Sequence, residues 1–252
     1  MSNTHHVSVR PIDHVVHAVA DLDSAAEVYE SMGFILTPRS DQPFGTSNRL
    51  IVLRRTYVEL VAVTSPELVT GGFAAEVKRV AELGGGLAFL ALKSHYAKAD
   101  REALAMTGQA TGDVFEFSRR APRSDGTHDE AHFSLVFLPG FPGLGMLLCQ
   151  HHTPESIWDP GFMEHPNGAS ELVGIRGWGQ IDAEGIRRLE IVTGARVLAE
   201  PDRYCAELGG AAVTIERSEP AEAGPRLNGF TVAGSSPTIA DISGATVEVT
   251  AS

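Results

Sequence analysis

The sequence predicts an α+β fold assembled from repeated β-α-β-β-β modules. Three observations carry that expectation. A short β-branched apolar run, IDHVVHAV (12–19), is followed by a polar break, a helical stretch and further strand-like runs. The same order of elements returns near residue 86 and again near residue 171. RTYVELVA (55–62) is echoed by GATVEVTA (244–251), which aligns Glu59 with Glu248, and MGFILTPR by TGARVLAE more faintly. Repetition of this length points to one supersecondary unit used several times, because a single such unit cannot cover both faces of its own sheet.

In the first module (10–66), Asp21 or Asp23 can cap the helix that follows the first strand, since a short side-chain oxygen satisfies free backbone N–H groups. Ala25, Ala26, Val28 and Tyr29 fall at helical spacing, and Gly33 suits a helix stop. Phe34–Leu36 reads as a short strand. RLIVLRR (49–55) and YVELVAV (57–63) then form two strands after the loop SDQPFGTSN. FAAEVKRVAELG (73–84) is an amphipathic linker helix with Phe73 and Val77 on one face. The second module (84–152) has GLAFLALKS as first strand, ADREALAM as helix, and VFEFSRR, HFSLVFL and GMLLCQH as strands, with the polar APRSDGTHDE (121–130) as a hairpin. A third, divergent module (170–252) begins with ELVGIRGWG. It continues with a helix closed by Gly194, a short strand RVLAE, and strands near AAVTIER, RLNGFTVAG and ATVEVTA.

Composition narrows the function classes. The 252 residues, 43% hydrophobic, can bury a full core. Twenty Lys and Arg against 32 Asp and Glu give a formal charge of −12, a surface that repels phosphate backbones and anionic membranes, so nucleic acid is not an expected partner. No run approaches the roughly 18 apolar residues of a membrane span. MSNTHHVSVRP has no apolar signal core, and His5 and His6 read as part of a loose leader. Cys149 and Cys205 stand far apart in apolar surroundings, which suits a reducing cytoplasm rather than a disulfide framework. There is no G-x-S-x-G elbow and no Rossmann fingerprint, and GGG (84–86) has no following helix to cradle phosphate.

The Asp13-His14 start, the DLDSA helix entry, MGF at the helix end, FGTSN before the third strand, YVELVAV as the fourth, and the later LLCQHHTPESIW and HPNGA together resemble the vicinal oxygen chelate superfamily, and within it the glyoxalase-like domain proteins. The resemblance implies paired modules whose mixed sheets curl into an open cleft, as in glyoxalase and dihydroxybiphenyl dioxygenase. It further implies a small-molecule ligand and a divalent metal (Mn, Fe, Zn or Ni) held by first- and fourth-strand residues. Carried over position by position, the metal ligands are His14 and Glu59. In module two the first-strand position falls near Leu87 or Ala88, which cannot ligate, and the fourth-strand position falls at Gln150, a weak donor. The four-position set is therefore incomplete.

A His and a carboxylate from separate strands can bind Mn, Fe or Zn, and a second His makes the facial set that leaves positions open for substrate. His151 or His152 can supply it, but they point to opposite faces of a continuing strand, so at most one joins. If Gln150 faces inward His152 shares its side, and His152 is then the third ligand. Glu59 and His151 are candidate proton-moving groups, and Thr46, Asn48, His132, Gln150 and Trp158 candidate substrate contacts. Against this stands the plain alternative that His14 is a satisfied strand residue and that Glu59 pairs with Arg54 or Arg55. His17 falls on the face opposite His14, HPNGA reads as a turn, and Glu248 lacks a first-strand His beside it. The expected activity is lyase, isomerase or epimerase chemistry, with ring-cleaving dioxygenation, a metal-free binding protein, or a structural subunit as competing readings. A homodimer is possible through the third module.

Overall fold

The computed structural model describes residues 8–109, 111–141, 144–218 and 225–251; His5 and His6 lie outside them. The first strand, β1 (Ile12–Ala18), is followed by α1 (Leu22–Ser31). Asp21, not Asp23, is the cap, its carboxylate accepting the Ser24 backbone N–H at 2.7 Å. Leu22, Ala25, Ala26 and Tyr29 form the buried face of α1, and burying Leu22 and Tyr29 contributes about 1.5–3 kcal/mol each. Gly33, at φ +84°, turns the chain after the helix.

Phe34–Leu36 is not a strand. The Phe34 N–H is spent on the carbonyl of Tyr29 in the helix end, and the Ile35 N–H on the His165 imidazole, so no ladder begins there. The second strand is β2 (Ser40–Asp41), followed by β3 (Thr46–Val52) and β4 (Tyr57–Val63). After α2 (Gly72–Glu82) come β5 (Gly86–Lys93), α3 (Ala97–Met106), β6 (Phe115–Pro122), β7 (His128–Phe141) and β8 (Leu144–His151). The final third has β9 (Glu171–Trp178), α4 (Ala183–Thr193), β10 (Leu198–Ala199), β11 (Arg203–Leu208), β12 (Ala211–Glu216), β13 (Arg226–Gly234), β14 (Thr238–Ile242) and β15 (Ala245–Ala251).

Each repeat places its last strand parallel to its first. β1 pairs with β4, and β5 with β8, while β1 and β5 run antiparallel and join the two units. The span 170–252 carries two such parallel pairs, β9 with β12 and β13 with β15, the second without a helix between its strands. β9 and β13 are antiparallel neighbours, as β1 and β5 are. Among the described residues the strands form one continuous curved sheet, and the two halves meet through a single bridge, Leu227 to Leu87. The echo of Glu59 in Glu248 holds in three dimensions, since Glu59 registers with Val16 across β1/β4 and Glu248 with Thr231 across β13/β15.

Two apolar layers result. One lies under α1, α3 and α4 and includes Ile12, Val15, Tyr29, Leu90, Leu148 and Phe230. The other lines the hollow between the first two units and includes Val16, Leu50, Tyr57, Phe89, Phe133 and Cys149. The halves also touch at Gly85, where a Cβ would stand 2.3 Å from the Ser243 carbonyl. Beside that contact the fully buried His17 bonds the Tyr29 hydroxyl at 2.9 Å and the Ser243 carbonyl at 3.1 Å. HPNGA is a turn, with Gly168 at φ +71°, and it pins the end of α1 through Asn167 Nδ2 to the Met32 carbonyl at 3.0 Å.

Candidate functional site

A β-bulge shapes the hollow between modules one and two. Ile12 opposes Leu92 and His14 opposes Ala91 across β1/β5, so Asp13 is an extra residue. Strand alternation would send neighbours to opposite faces; the extra residue instead brings Asp13 and His14 to the same face. From Val15 onward the alternation resumes, with Val16 on the cleft side and His17 on the helix side, as parity predicts for His17.

Asp13 is fully buried, and one of its oxygens, Oδ1, serves two imidazoles: His14 Nδ1 at 2.7 Å and His151 Nε2 at 2.9 Å. Burial alone would raise its pKa. The positive character of His151, with hydrogen bonds from both rings, outweighs that and holds the carboxyl well below the usual carboxylate range. Its second oxygen has no hydrogen bond and lies 3.9 Å from Lys93 Nζ. The carboxylate fixes the His14 tautomer, because Nδ1 must donate to it, and leaves Nε2 as an acceptor.

His14 Nε2 faces Glu59 Oε2 at 3.8 Å, and the His14 ring stacks on Tyr57 at 4.4 Å. Glu59 stands on β4 with its other oxygen taken: Oε1 accepts Asn48 Nδ2 at 2.5 Å and Gln42 Nε2 at 3.1 Å. Thr46 lies one layer further out, its hydroxyl donating to Gln42 Oε1 at 2.5 Å. The expectation that Glu59 pairs with Arg54 or Arg55 does not hold. The buried Arg119 interacts with it electrostatically instead.

At the end of β8 the pairing with β7 is regular from Met146 to His151, so alternation is strict there. Cys149 and His151 face the cleft side. Gln150 and His152 face away: Gln150 Oε1 accepts the Ala97 N–H at the start of α3 at 2.8 Å, and His152 Nε2 meets the Ser134 hydroxyl at 2.7 Å. The expectation of His152 as metal ligand and Gln150 as substrate contact is therefore corrected, and His151 takes the inward place. His132 is also corrected. It is exposed on β7 with Glu130 3.8 Å away, outside the cleft. Trp158 closes the end of the site, donating Nε1 to the Leu53 carbonyl at 3.1 Å and packing on His151 and Tyr57. Phe162 packs into the same layer. Glu248, in the other half, pairs with Arg176 at 3.2 Å, a structural role.

Asp13, His14, Cys149 and His151 form a group whose ligating atoms all lie within 4.8 Å of one another. Cys149 is buried. Burial, with Asp13 and Glu59 nearby, pushes its thiol well above the ordinary range, so it is no nucleophile in this state. Tyr57 is likewise pushed up, chiefly by burial, and remains a neutral phenol.

Phe44, Phe73, Phe117 and Phe133 wall the hollow beside these groups. These rings pack on one another edge-to-face and stacked, with centroids 5.0 to 5.6 Å apart. Arg119 also lines it, 7% exposed, on the inward face of β6 with Phe117. Sequence reading passed over Asp13 as a functional group and Arg119 altogether. For Arg119 the signal was present: Phe117, Arg119 and Ala121 share a parity on an apolar strand face, where a charge is out of place.

Curved sheets of paired β-α-β-β-β units around a cleft with a first-strand His and a fourth-strand Glu define a glyoxalase-like protein. The model of the glyoxalase-like domain family matches residues 12–187, and the chain belongs to that family, within the vicinal oxygen chelate superfamily. No curated protein matches it. Among solved structures, a hypothetical protein from Staphylococcus aureus has a TM-score of 0.75 at 13% identity, over 96% of this chain and 99% of that one. The Mn(II)-bound glyoxalase from Novosphingobium aromaticivorans has a TM-score of 0.55 at 12% identity, over 96% and 82%. A triple mutant of 4-hydroxymandelate synthase from Streptomyces coelicolor has 0.53 at 12%, over 89% and 71%. At these identities the likeness is one of fold. Among the described residues no helix is long and apolar enough to cross a membrane.

Proposed function

We propose that the chain binds a small aromatic or apolar, oxygen-bearing metabolite in the cleft between modules one and two, and moves a proton on it in isomerase- or lyase-type chemistry beside a divalent metal (Mn, Fe, Zn or Ni). One observation carries the reading. His14 Nε2 and Glu59 Oε2 are both acceptors, face each other at 3.8 Å, and have their sister atoms already occupied. Two lone pairs so placed call for a cation between them. Donors sharing a tetrahedral or octahedral ion with bonds near 2.1 Å stand about 3 to 3.4 Å apart, so a shift of a few tenths of an ångström fits one.

The residues present fit the ion. His14 and Glu59 would hold it, and Asp13 would orient the His14 ring from behind, as carboxylates behind ligating imidazoles do. When bound, such an ion polarises a carbonyl or vicinal hydroxyl oxygen of the substrate. Glu59 would take a substrate carbon-bound proton on Oε2 only with that oxygen released from the ion, while Asn48 and Gln42 keep its carboxyl plane fixed through Oε1. His151 packs behind Phe133 and Tyr57, bonds Asp13, and acts by positioning that carboxylate. The aromatic wall keeps bulk water from the proton in transit.

Elemental analysis of untagged protein purified without chelator tests this, beside His14→Ala and Glu59→Ala. Near-stoichiometric metal, lost in both variants, is the expected result. No metal, and none taken up when offered, would leave the second reading in front, a metal-free binding protein in which His14 pairs directly with Glu59. That reading is favoured by Arg119, a fixed cation in the same hollow, and by β5, whose cleft-side Ala88, Phe89 and Ala91 are apolar and whose Lys93, beside Asp13, is no metal ligand.

A further inference from the structure

Resting on the reading that this cleft is the small-molecule site, we infer that Arg119 is its anion anchor and that the ligand is a carboxylic acid with an aromatic or similarly flat apolar body. Both hydrogen bonds of the guanidinium leave from Nη1, to the Ser40 hydroxyl at 3.2 Å and the Arg120 carbonyl at 3.1 Å. The buried Nε has no partner. Among the described residues no carboxylate comes within 4.0 Å of the group. A buried guanidinium stays charged; Glu59 acts on it only at longer range, and a buried cation with no carboxylate in contact and with an orphaned N–H is costly to keep. Here it is kept on the wall of an otherwise aromatic hollow, in a chain whose formal charge is −12.

The free Nε side of the fork matches the two oxygens of a carboxylate, which an arginine takes in a planar, two-bond arrangement. Phe133 lies under the guanidinium, with 5.6 Å from its central carbon to the ring centroid, and limits the approach to the ring plane's edge. Phe44, Phe73 and Phe117 offer ring faces and edges to the ligand body. Arg119 and the His14–Glu59 pair line the same hollow, so an acid held at Arg119 presents its neighbouring carbons to Glu59. The substrate class that follows is an aromatic acid with a reactive centre close to its carboxylate.

Titration calorimetry with matched pairs decides the matter. Phenylacetate and 3-phenylpropionate are compared with their primary amides on the wild-type protein, Arg119→Lys and Arg119→Met, with circular dichroism reporting the fold. The acids should bind wild type about ten- to hundredfold more tightly than the amides, the range expected of a charge-assisted pair. Arg119→Met should erase the difference and Arg119→Lys keep part of it. Equal binding of acid and amide to wild type would overturn the anchor while leaving the cleft reading intact, as would an acid preference that survives in Arg119→Met. Binding of none of these compounds to wild type would overturn both. Should Arg119→Met fail to fold, the wild-type comparison still decides.

Discussion

Replacing Asp13 by asparagine keeps the size and shape of the side chain and removes its charge. In the native site Oδ1 accepts from His14 Nδ1 at 2.7 Å and from His151 Nε2 at 2.9 Å, and the other oxygen lies 3.9 Å from Lys93 Nζ. Asparagine can still offer one oxygen to both rings, so the two contacts become neutral ones of about half the strength. Charge-assisted bonds contribute about 1.5–3 kcal/mol each and neutral ones about 1 kcal/mol. The loss is about 1–4 kcal/mol, before a smaller loss from turning an amide N–H toward Lys93. Urea denaturation of wild type and Asp13→Asn at pH 7 measures it, with Asp23→Asn, on the exposed side of α1, as control. The same variant should bind a divalent ion about ten- to hundredfold more weakly in chelator competition, because the His14 ring loses the carboxylate that orients it. The low pKa of Asp13 adds a sign: its contribution is present above the ordinary carboxylate range and is lost as pH falls through its depressed folded value. A stability change within about 0.5 kcal/mol, together with unchanged metal affinity, would refute the idea that Asp13 organises the two imidazoles.

His17 makes stability depend on pH with the same sign in a higher window. Burial depresses its pKa from 6.5 to about 4, so the unfolded chain binds the extra proton first. Stability should be whole above pH 6.5 and fall as pH drops toward 4, by up to about 3 kcal/mol, and a His17→Gln protein should show a flatter profile over that window. His152→Ala and His132→Ala should leave metal content unchanged, since neither ring reaches the cluster, whereas His151→Ala should lower it. Gly85→Ala should destabilise the protein by more than about 1 kcal/mol in thermal unfolding, because the site has φ +88° and the new Cβ would stand 2.3 Å from the Ser243 carbonyl. An unchanged melting temperature there would mean that the two halves are not in close contact at that point.

Much of this was readable from the chain. The first strand, the Asp21-capped helix, the Glu59 strand and the helix closed by Gly194 follow from local periodicity and capping chemistry, which act over a few residues. The orientation of Gln150, His151 and His152 was not readable, because parity says only that neighbours alternate. Which of them faces in is set by pairing with β7. The bulge at Asp13 was hidden for a related reason, as only the partner strand reveals the extra residue. β11 and β14 were missed because RYCAEL and TIADI are mixed in polarity, and their ladders with β12 and β15 supply what their own sequences lack. Phe34–Leu36 failed in the other direction, since its strand-forming residues lost their hydrogen bonds to His165 and to the end of α1.

The bulge in β1 has a consequence for how such chains diverge. The one extra residue of the bulge sets a second polar group beside His14 on the cleft face, and the alternation of Val15 to Val19 behind it is undisturbed. A new chemical group can thus be gained without giving up an old one, by a change in length rather than in identity. In an alignment it would surface as a lone gap in the first strand, easily dismissed as noise. For chains built this way, that gap is the column to inspect first when two of them differ in what they do.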